Sequence, residues 1–364
     1  VLFSNENQFR LYSGDNVTFS PETASVGRIS SITMEAKVKP QQVGPQVIFP
    51  VREGDFTGVH TFITTDRTVG INLGQTAVIT ETVPKYIPKN IDSLAVSRTD
   101  QYLIALSSDD PTSLYVYQFF WEASGGSLTN KQNAWSKWTF TGVKIIGVMS
   151  RESYLYVLAS EGTTTKLFKI DLRNLKDTTI GHGVYIDLKT SVTGTYDSGT
   201  DKTTFTSPYG AKTGLLAVDR TNGNNYTATN TSGSTYTIDG NHTSLYIGVP
   251  YESKYRLSTP YIRENTGRGL LAVTTGRYQI RNIALTYENS GFFTAEVTPE
   301  NRSKSTTVMN GYVLGTAGST IGSAALSSGT IKVPIQCRNT DFTFDIKSSS
   351  HLPMYIACLL YTSP

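Results

Sequence analysis

Helical periodicity is the feature this sequence most lacks: no long segment places apolar residues at i, i+3, i+4 and i+7 without a Gly, Pro or β-branched interruption. A helical bundle is thereby excluded. Charge is sparse as well. Charged residues make up 17% of the 364 and apolar residues 38%, both below globular averages, with Gly, Ser, Thr, Asn and Tyr filling the gap. Net charge is +3, from 32 basic and 29 acidic residues scattered along the chain. The densest basic stretches, Arg263 to Arg268 and Arg302 to Lys304, are broken by polar residues, so tight capture of nucleic acid is not indicated. A surface past which nucleic acid slides remains compatible, because transit needs weak contact with few phosphates.

Two cysteines, Cys337 and Cys358, could pair, but they are a poor disulfide framework for so long a chain and are expected to be reduced. No apolar run is long enough to span a bilayer and no secretory leader opens the chain, so no membrane anchor is expected. The sequons at Asn16, Asn225, Asn230, Asn241 and Asn301 are what a chain rich in Asn, Ser and Thr produces by chance.

Chemical signatures are equally scarce. His60, His182, His242 and His351 are far apart and fit no metal-ligand spacing. Asp219 to Asn225 has the look of a calcium loop, but its oxygen ligands fall out of register and no Glu closes it, so a tight turn is expected. A nucleophile elbow, a phosphate-binding Gly-rich loop and a dinucleotide fingerprint are all missing. The sequence therefore assigns no catalytic, cofactor-binding or metal-ligating residue and no cofactor, and points away from an enzyme. The alternative is a glycan-binding or glycan-cleaving β-propeller, for which Asp92, Asp100, Glu122 and Glu152 would have to converge. Tyr251, Tyr255 and Tyr261, with Arg256 and Arg263, form the densest polar-aromatic stretch, suited to stacking a sugar or base or to a protein interface.

What the sequence does contain is strands. Short apolar or alternating runs bounded by Gly, Asn, Asp and Ser recur throughout, the pattern of sandwiches and propellers. Leu94 to Val96, Tyr102 to Leu106 and Leu114 to Tyr117 return as Ile145 to Val148, Tyr154 to Leu158 and Lys166 to Ile170, about fifty residues later, the period of a propeller blade. Trp135 to Phe140 is expected to be the outer strand of the first unit, and its aromatics blade core. A weaker unit precedes these, with strands at Gln46 to Val51, Gly58 to Thr64 and Thr68 to Leu73. Three units cannot close a ring of at least about four blades, so further blades are expected outside this chain.

Beyond about residue 180 the pattern is that of a sandwich. Phe342-Thr-Phe344-Asp-Ile346 alternates as a half-buried strand, and Arg277 to Tyr287 with Phe292 to Val297 predicts a hairpin turning at Glu288 to Gly291 with φ > 0 at the glycine. Ser191 to Lys202, Asn222 to Ser234 and Gly311 to Gly329 are expected as long loops able to carry contacts. The fold class is thus all-β, a partial β-propeller over residues 1–180 followed by a β-sandwich-like domain over 181–356.

Several motifs, in order along nearly the whole chain, carry a resemblance. They are Leu2-Phe3-Ser4 with Gln8-Phe9-x-Leu11, Val17 to Pro21 with Thr23, Val51-Arg52-Glu53, Pro84-x-Tyr86-Ile87-Pro88, Trp135-x-x-Trp138 and Tyr185-x-Asp187. Further on come Ile247-Gly-Val-Pro250-Tyr251 with Tyr255 and Ser258, Arg281 to Tyr287 with Ser290-Gly-Phe292, and Val333-Pro334. Together they resemble the tail tubular protein B, or nozzle, family of short-tailed bacteriophages. The resemblance implies a structural, non-enzymatic subunit of the virion tail, made in the bacterial host cytoplasm, six copies of which form a ring beneath the tail adaptor protein. Such a ring extends the portal channel, docks tail fibres, closes the exit before adsorption and lets double-stranded DNA pass during ejection. Val1 to Ser4 reads as the inside of a strand and family members extend further at the N-terminal side, so a fragment of a longer protein is expected. Cys358-Leu-Leu-Tyr-Thr-Ser-Pro364 departs from the family's finish, and residues 357–364 are expected to be an artefactual or disordered tail.

Overall fold

A computed structural model of the chain describes residues 2–13, 18–43, 46–63, 76–124, 127–266, 269–273, 276–312 and 322–362. These residues form 31 strands in antiparallel sheets and, among them, no helix. Two compact units divide the chain, Val1–Arg173 and Asn174–Pro364.

The first unit is a stack of four meanders. They are β1 (Leu2–Phe3), β2 (Gln8–Tyr12) and β3 (Ser25–Ser30); β4 (Gln41–Val43), β5 (Gln46–Glu53), β6 (Phe56–Ile63) and β7 (Thr76–Val78); β8 (Ile91–Ser97), β9 (Tyr102–Ser107), β10 (Ser113–Ser124) and β11 (Ser127–Thr139); and β12 (Lys144–Arg151), β13 (Tyr154–Glu161) and β14 (Thr164–Asp171). Within each meander successive strands pair through short turns, such as Gly54-Asp55, where the glycine's φ of 64° suits a two-residue hairpin. The fifty-residue repeat is therefore structural. Its two copies are β8–β10 and β12–β14, and the Trp135 to Phe140 segment falls on β11, the edge strand of the first. Of the weaker unit's strands, β5 and β6 are present, while Thr68 to Leu73 lies outside the described residues.

Side-chain alternation explains the stacking. Along β10, Tyr115, Tyr117 and Phe119 point to one side and pack with Val38, Val43, Ile48 and Val59, whereas Leu114 and Val116 point to the other and pack with Ile145, Leu155, Val157 and Ala159. A sheet buried on both faces needs apolar residues at consecutive positions, which is why Tyr102 to Leu106 reads as a continuous run. The third blade-like sheet is different. Leu155, Val157 and Ala159 of β13 face the core, while Leu158 and its cross-strand partner Leu167 lie 38% and 66% exposed on the opposite face. The sheets do not close into a barrel or propeller among the described residues.

The second unit holds two sandwiches. The first comprises β15 (Asp187–Thr193), β16 (Thr195–Asp197), β17 (Lys202–Thr206), β18 (Leu216–Asp219), β19 (Asn225–Thr227), β20 (Thr229–Ser232), β21 (Thr235–Asp239) and β22 (Ser244–Val249), in sheets ordered β15-β22-β18-β19 and β16-β17-β21-β20 around Phe205, Ala217, Tyr236, Leu245 and Ile247. The second comprises β23 (Ser253–Arg256), the separate ribbon β24 (Arg263–Thr266) and β25 (Gly269–Ala272), then β26 (Gln279–Ser290), β27 (Phe292–Pro299), β28 (Ser305–Asn310), β29 (Ser327–Arg338), β30 (Phe342–Ser348) and β31 (Ile356–Thr362). Sheets β23-β30-β27-β28 and β29-β26-β31 close over Ile283, Leu285, Phe293, Val333, Phe344 and Ile346.

Two expectations are corrected here. The hairpin across Glu288 to Gly291 does not form: β26 pairs with β29 and β31, β27 with β28 and β30, and the chain crosses between sheets at that point. Alternation marks a strand but not its partner. Gly291 has no left-handed φ; it is a glycine because a Cβ there would lie 2.4 Å from Leu352 Cδ1. The segments Ser191 to Lys202 and Asn222 to Ser234, expected as loops, are largely the short strands β15 to β17 and β19 to β20. Most of the third, Gly311 to Gly329, lies outside the described residues, and its end opens β29. The expected tail begins within a strand: residues 356–362 form β31, with Leu359 opposite Leu285 and packed against the sandwich core.

The two sandwiches of the second unit join through buried histidines. His351, 2% exposed, donates its Nε2–H to the Gly223 carbonyl at 2.8 Å, and its own carbonyl accepts from Tyr185 N. His182, 4% exposed, lies against Gly223, with Nδ1 bound to the Gly183 carbonyl. Burial holds the His351 pKa below 6.5; the Gly223 bond opposes this and the neighbouring His182 adds to it. Folding therefore favours neutral His351, and its contribution is complete above pH 6.5 and erodes as pH falls from there through the folded-state value.

Two outcomes are expected. In a protein of these residues, Leu155→Ala costs about 2–5 kcal/mol and Leu167→Ala stays within about 0.5 kcal/mol, measured by urea denaturation. Between pH 7 and 5 the calorimetric Tm falls, and His351→Gln, which keeps an N–H for Gly223, flattens that fall; an unchanged pH dependence would remove the histidine account.

Candidate functional site

Among the described residues, those singled out for chemistry are not brought together in one site. Asp100, at the β8–β9 turn, and Glu152, at the β12–β13 turn, share one end of the stack, where Ser97 Oγ donates to both the Asp100 carboxylate and the Glu152 carbonyl. Asp92 sits at the other end of β8, about 16 Å from Ser97 at 3.3 Å per residue, and the Glu122 side chain is outside the described residues. Among the described residues no group of three His, Cys, Asp or Glu side chains could hold a metal ion.

Asp219 spends its carboxylate on its own turn. Oδ1 accepts from Thr221 N and Oγ1 at 2.7 and 2.6 Å, and Oδ2 lies 2.6 Å from His242 Nδ1, whose ring packs at a tilt with its centroid 4.2 Å from that of Tyr226. Gly223, with φ 76°, closes that turn. Asp177 serves a similar structural purpose. Burial raises its pKa, but the Tyr246 hydroxyl, the Thr179 and Ile180 N–H groups and the Arg220 guanidinium outweigh that and hold it at about 2. Cys337 faces the core from β29 and Cys358 is exposed on β31, and both are free thiols.

The polar-aromatic stretch is divided. Tyr255 is 54% exposed on β23, while Arg256 forms a bidentate pair with Asp345 at 2.7 and 2.8 Å. Arg263 lies apart on β24. A ring of hydroxyl and amide groups, unmarked by any sequence motif, has Tyr185 OH donating to Asn174 Oδ1, Asn174 Nδ2 donating to Tyr355 OH, and the two hydroxyls 2.8 Å apart. Its members come from both sandwiches, with more than 160 residues between Tyr185 and Tyr355.

Two surfaces carry more information. One is the outer face of β12–β14, where Met149 and Ile146 join Leu158 and Leu167, all at least 38% exposed. The other is the contrast between the two outer faces of the second sandwich. On sheet β23-β30-β27-β28 every basic side chain is neutralised: Arg256 and Lys254 on Asp345, Lys304 and Lys347 on Glu296. These cations hold both carboxyls below their ordinary range, Arg256 chiefly for Asp345 and Lys347 chiefly for Glu296. On sheet β29-β26-β31 the exposed Arg281, Lys332 and Arg338 take part in no ion pair among the described residues. Only pairing shows this contrast, since all these cations look alike in the sequence.

The family motifs also find a physical basis. Tyr185-x-Asp187 and Ile247-Gly-Val-Pro250 lie against each other where β15 pairs with β22: Asp187 is opposite Val249, and a Cβ on Gly248 would lie 2.5 Å from the Asp187 carbonyl oxygen. The chain is 26% identical over 375 residues to tail tubular protein gp12 of Escherichia phage T7, an alignment covering 98% of this chain and 46% of that protein. It thus spans about half the length of the curated relative it matches. Among solved structures, the exo-beta-1,3-galactanase of Phanerochaete chrysosporium with galactose aligns over 97% of this chain and 100% of that one, at 10% identity and a TM-score of 0.23, too low to inform fold or activity. A model of the bacteriophage nozzle protein matches residues 1–362. Over that span the chain belongs to the bacteriophage nozzle protein family.

Proposed function

We propose that these residues are part of a structural subunit of a phage tail nozzle, which extends the portal channel, closes it before adsorption and conducts double-stranded DNA during ejection. The observation that carries this reading is the family match over residues 1–362. The subunit has no catalytic role, resides in the virion tail after synthesis in the host cytoplasm, and contacts a tail adaptor protein and tail fibres. Six copies close a ring head to tail, which requires two different and complementary faces on each copy.

The first unit is then a segment of a β-propeller. Supporting this are meanders of three or four strands, a hydrophobic cluster between each adjacent pair of sheets from β4 to β14, and an apolar outer face on β12–β14 bearing Leu158 and Leu167. Further blades come from the part of the parent protein beyond these residues. Leaving such an apolar face in water forfeits about 25 cal/mol for each Å² that a neighbouring blade would cover.

Native mass spectrometry of the full-length parent protein mixed with its adaptor is expected to show a hexameric ring. A protein that stays monomeric with the adaptor present would sink the ring.

A further inference from the structure

We propose that the outer face of β26 and β29 is a contact surface for the backbone of duplex DNA; the proposal rests on the channel reading and names the surface that meets the cargo. The face is built by alternation. On β26 its exposed or half-exposed positions include Gln279, Arg281 and Thr286, and on β29 Thr330, Lys332 and Arg338. Gln279 is directly opposite Arg338, and the Thr286 and Thr330 hydroxyls are 3.0 Å apart. Arg302 sits at the edge of the sandwich, where it donates to the Gln336 carbonyl at 2.9 Å and to the core-facing Cys337 Sγ at 2.7 Å, so the outer face itself carries three cations, Arg281, Lys332 and Arg338.

Acidic groups are few here. Among the strands of this sheet the one carboxylate is Glu288, at the crossover end of β26. Glu300 and Asp341 line a neighbouring cleft of about 290 Å³ together with Arg302 and Arg338, and neither is in an ion pair with them. The opposite face of the same sandwich has its basic groups neutralised by Asp345 and Glu296. Mutually repelling cations left open on one face, beside neutralised ones on the other, complement a polyanion.

The rest of the face selects among polyanions. Its outward positions on β26 and β29 bear hydroxyls and amides, the groups that donate to phosphate oxygens. They include no aromatic side chain, so bases of a single strand find no stacking platform, and a protein partner finds no aromatic anchor. Arg338 and Lys332 are six residues apart on β29, about 20 Å at 3.3 Å per residue, a stretch over which duplex DNA presents about a dozen phosphates. Three cations against about a dozen phosphates give a loose, salt-sensitive contact, which permits sliding.

Fluorescence anisotropy with a labelled duplex, titrated in salt, tests this on the full-length protein. Three forms are compared: unmodified; R281Q/K332Q/R338Q; and R98Q/K144Q/R151Q, which removes equal charge from exposed positions of the first unit that form no ion pair among the described residues. The face variant is expected to lose at least about tenfold in duplex affinity at low salt, with the log-affinity versus log-salt slope smaller by about 3, while the control changes less than about twofold. Equal loss in both variants, no loss in the face variant, or no duplex binding by any form overturns the proposal. So does equally strong, face-dependent binding of polyglutamate, which would identify an acidic protein partner, or of single-stranded DNA. Thermal melting checks folding, and Lys332→Glu alone serves if the triple variant fails to fold. Loss of the DNA face leaves the tail assignment standing when the protein still assembles into its ring; failure of ring assembly removes the reading beneath it.

Discussion

The constraint on which the first unit depends is that the sheet β8–β11 is apolar on both faces. Tyr115, Tyr117 and Phe119 on one side and Leu114 and Val116 on the other are all at most 3% exposed, so a sheet must lie against each face. That requirement fixes the order of the stack, places β5 and β6 on one side and β12–β13 on the other, and passes the same demand outward. It stops at β14, whose alternation of half-buried and exposed residues offers Leu167 to whatever comes next.

How much of this could be read in advance depends on whether the information is local. Period-two alternation and turn residues are local, so the strands at Tyr102, Tyr154 and Phe342 and the repeat that contains two of them were legible. Partner choice is not local. The segment Arg277 to Val297 has two excellent strands and a turn between them, yet the turn is a crossover between sheets, with Leu352 packed where a Cβ on Gly291 would lie. Short polar strands such as β16 and β20 also escape, since Thr- and Asn-rich sequence looks like loop until a neighbouring strand supplies its hydrogen bonds. The same limit governs the surfaces. Lys347 and Lys332 are equally basic in the sequence, and only the fold gives Glu296 to the first and leaves the second without an acidic partner among the described residues.

The histidines illustrate how a residue type that invites a chemical reading can be structural. His182 and His351 come together only because two sandwiches meet at Gly223, and each uses a ring nitrogen to satisfy a backbone carbonyl. His242 is held by Asp219 in a pairing that would look catalytic if a nucleophile stood beside it; its ring packs instead on Tyr226. With Asp177, Asp219, Glu296 and Asp345 occupied in turns and ion pairs, the chain's distinctive features are its faces: one bearing exposed apolar side chains on β12–β14, one cationic on β26 and β29. Subunits that assemble around a cargo need such faces, and the nozzle family to which the chain belongs gives them a setting.

The central claim is that the protein is an axial component of the tail. Cryo-electron tomography of virions carrying a peptide tag on the parent protein tests it most directly. The account predicts label density on the tail axis, in a ring around the channel and distal to the portal; label confined to peripheral appendages, or absent from the virion, would contradict it.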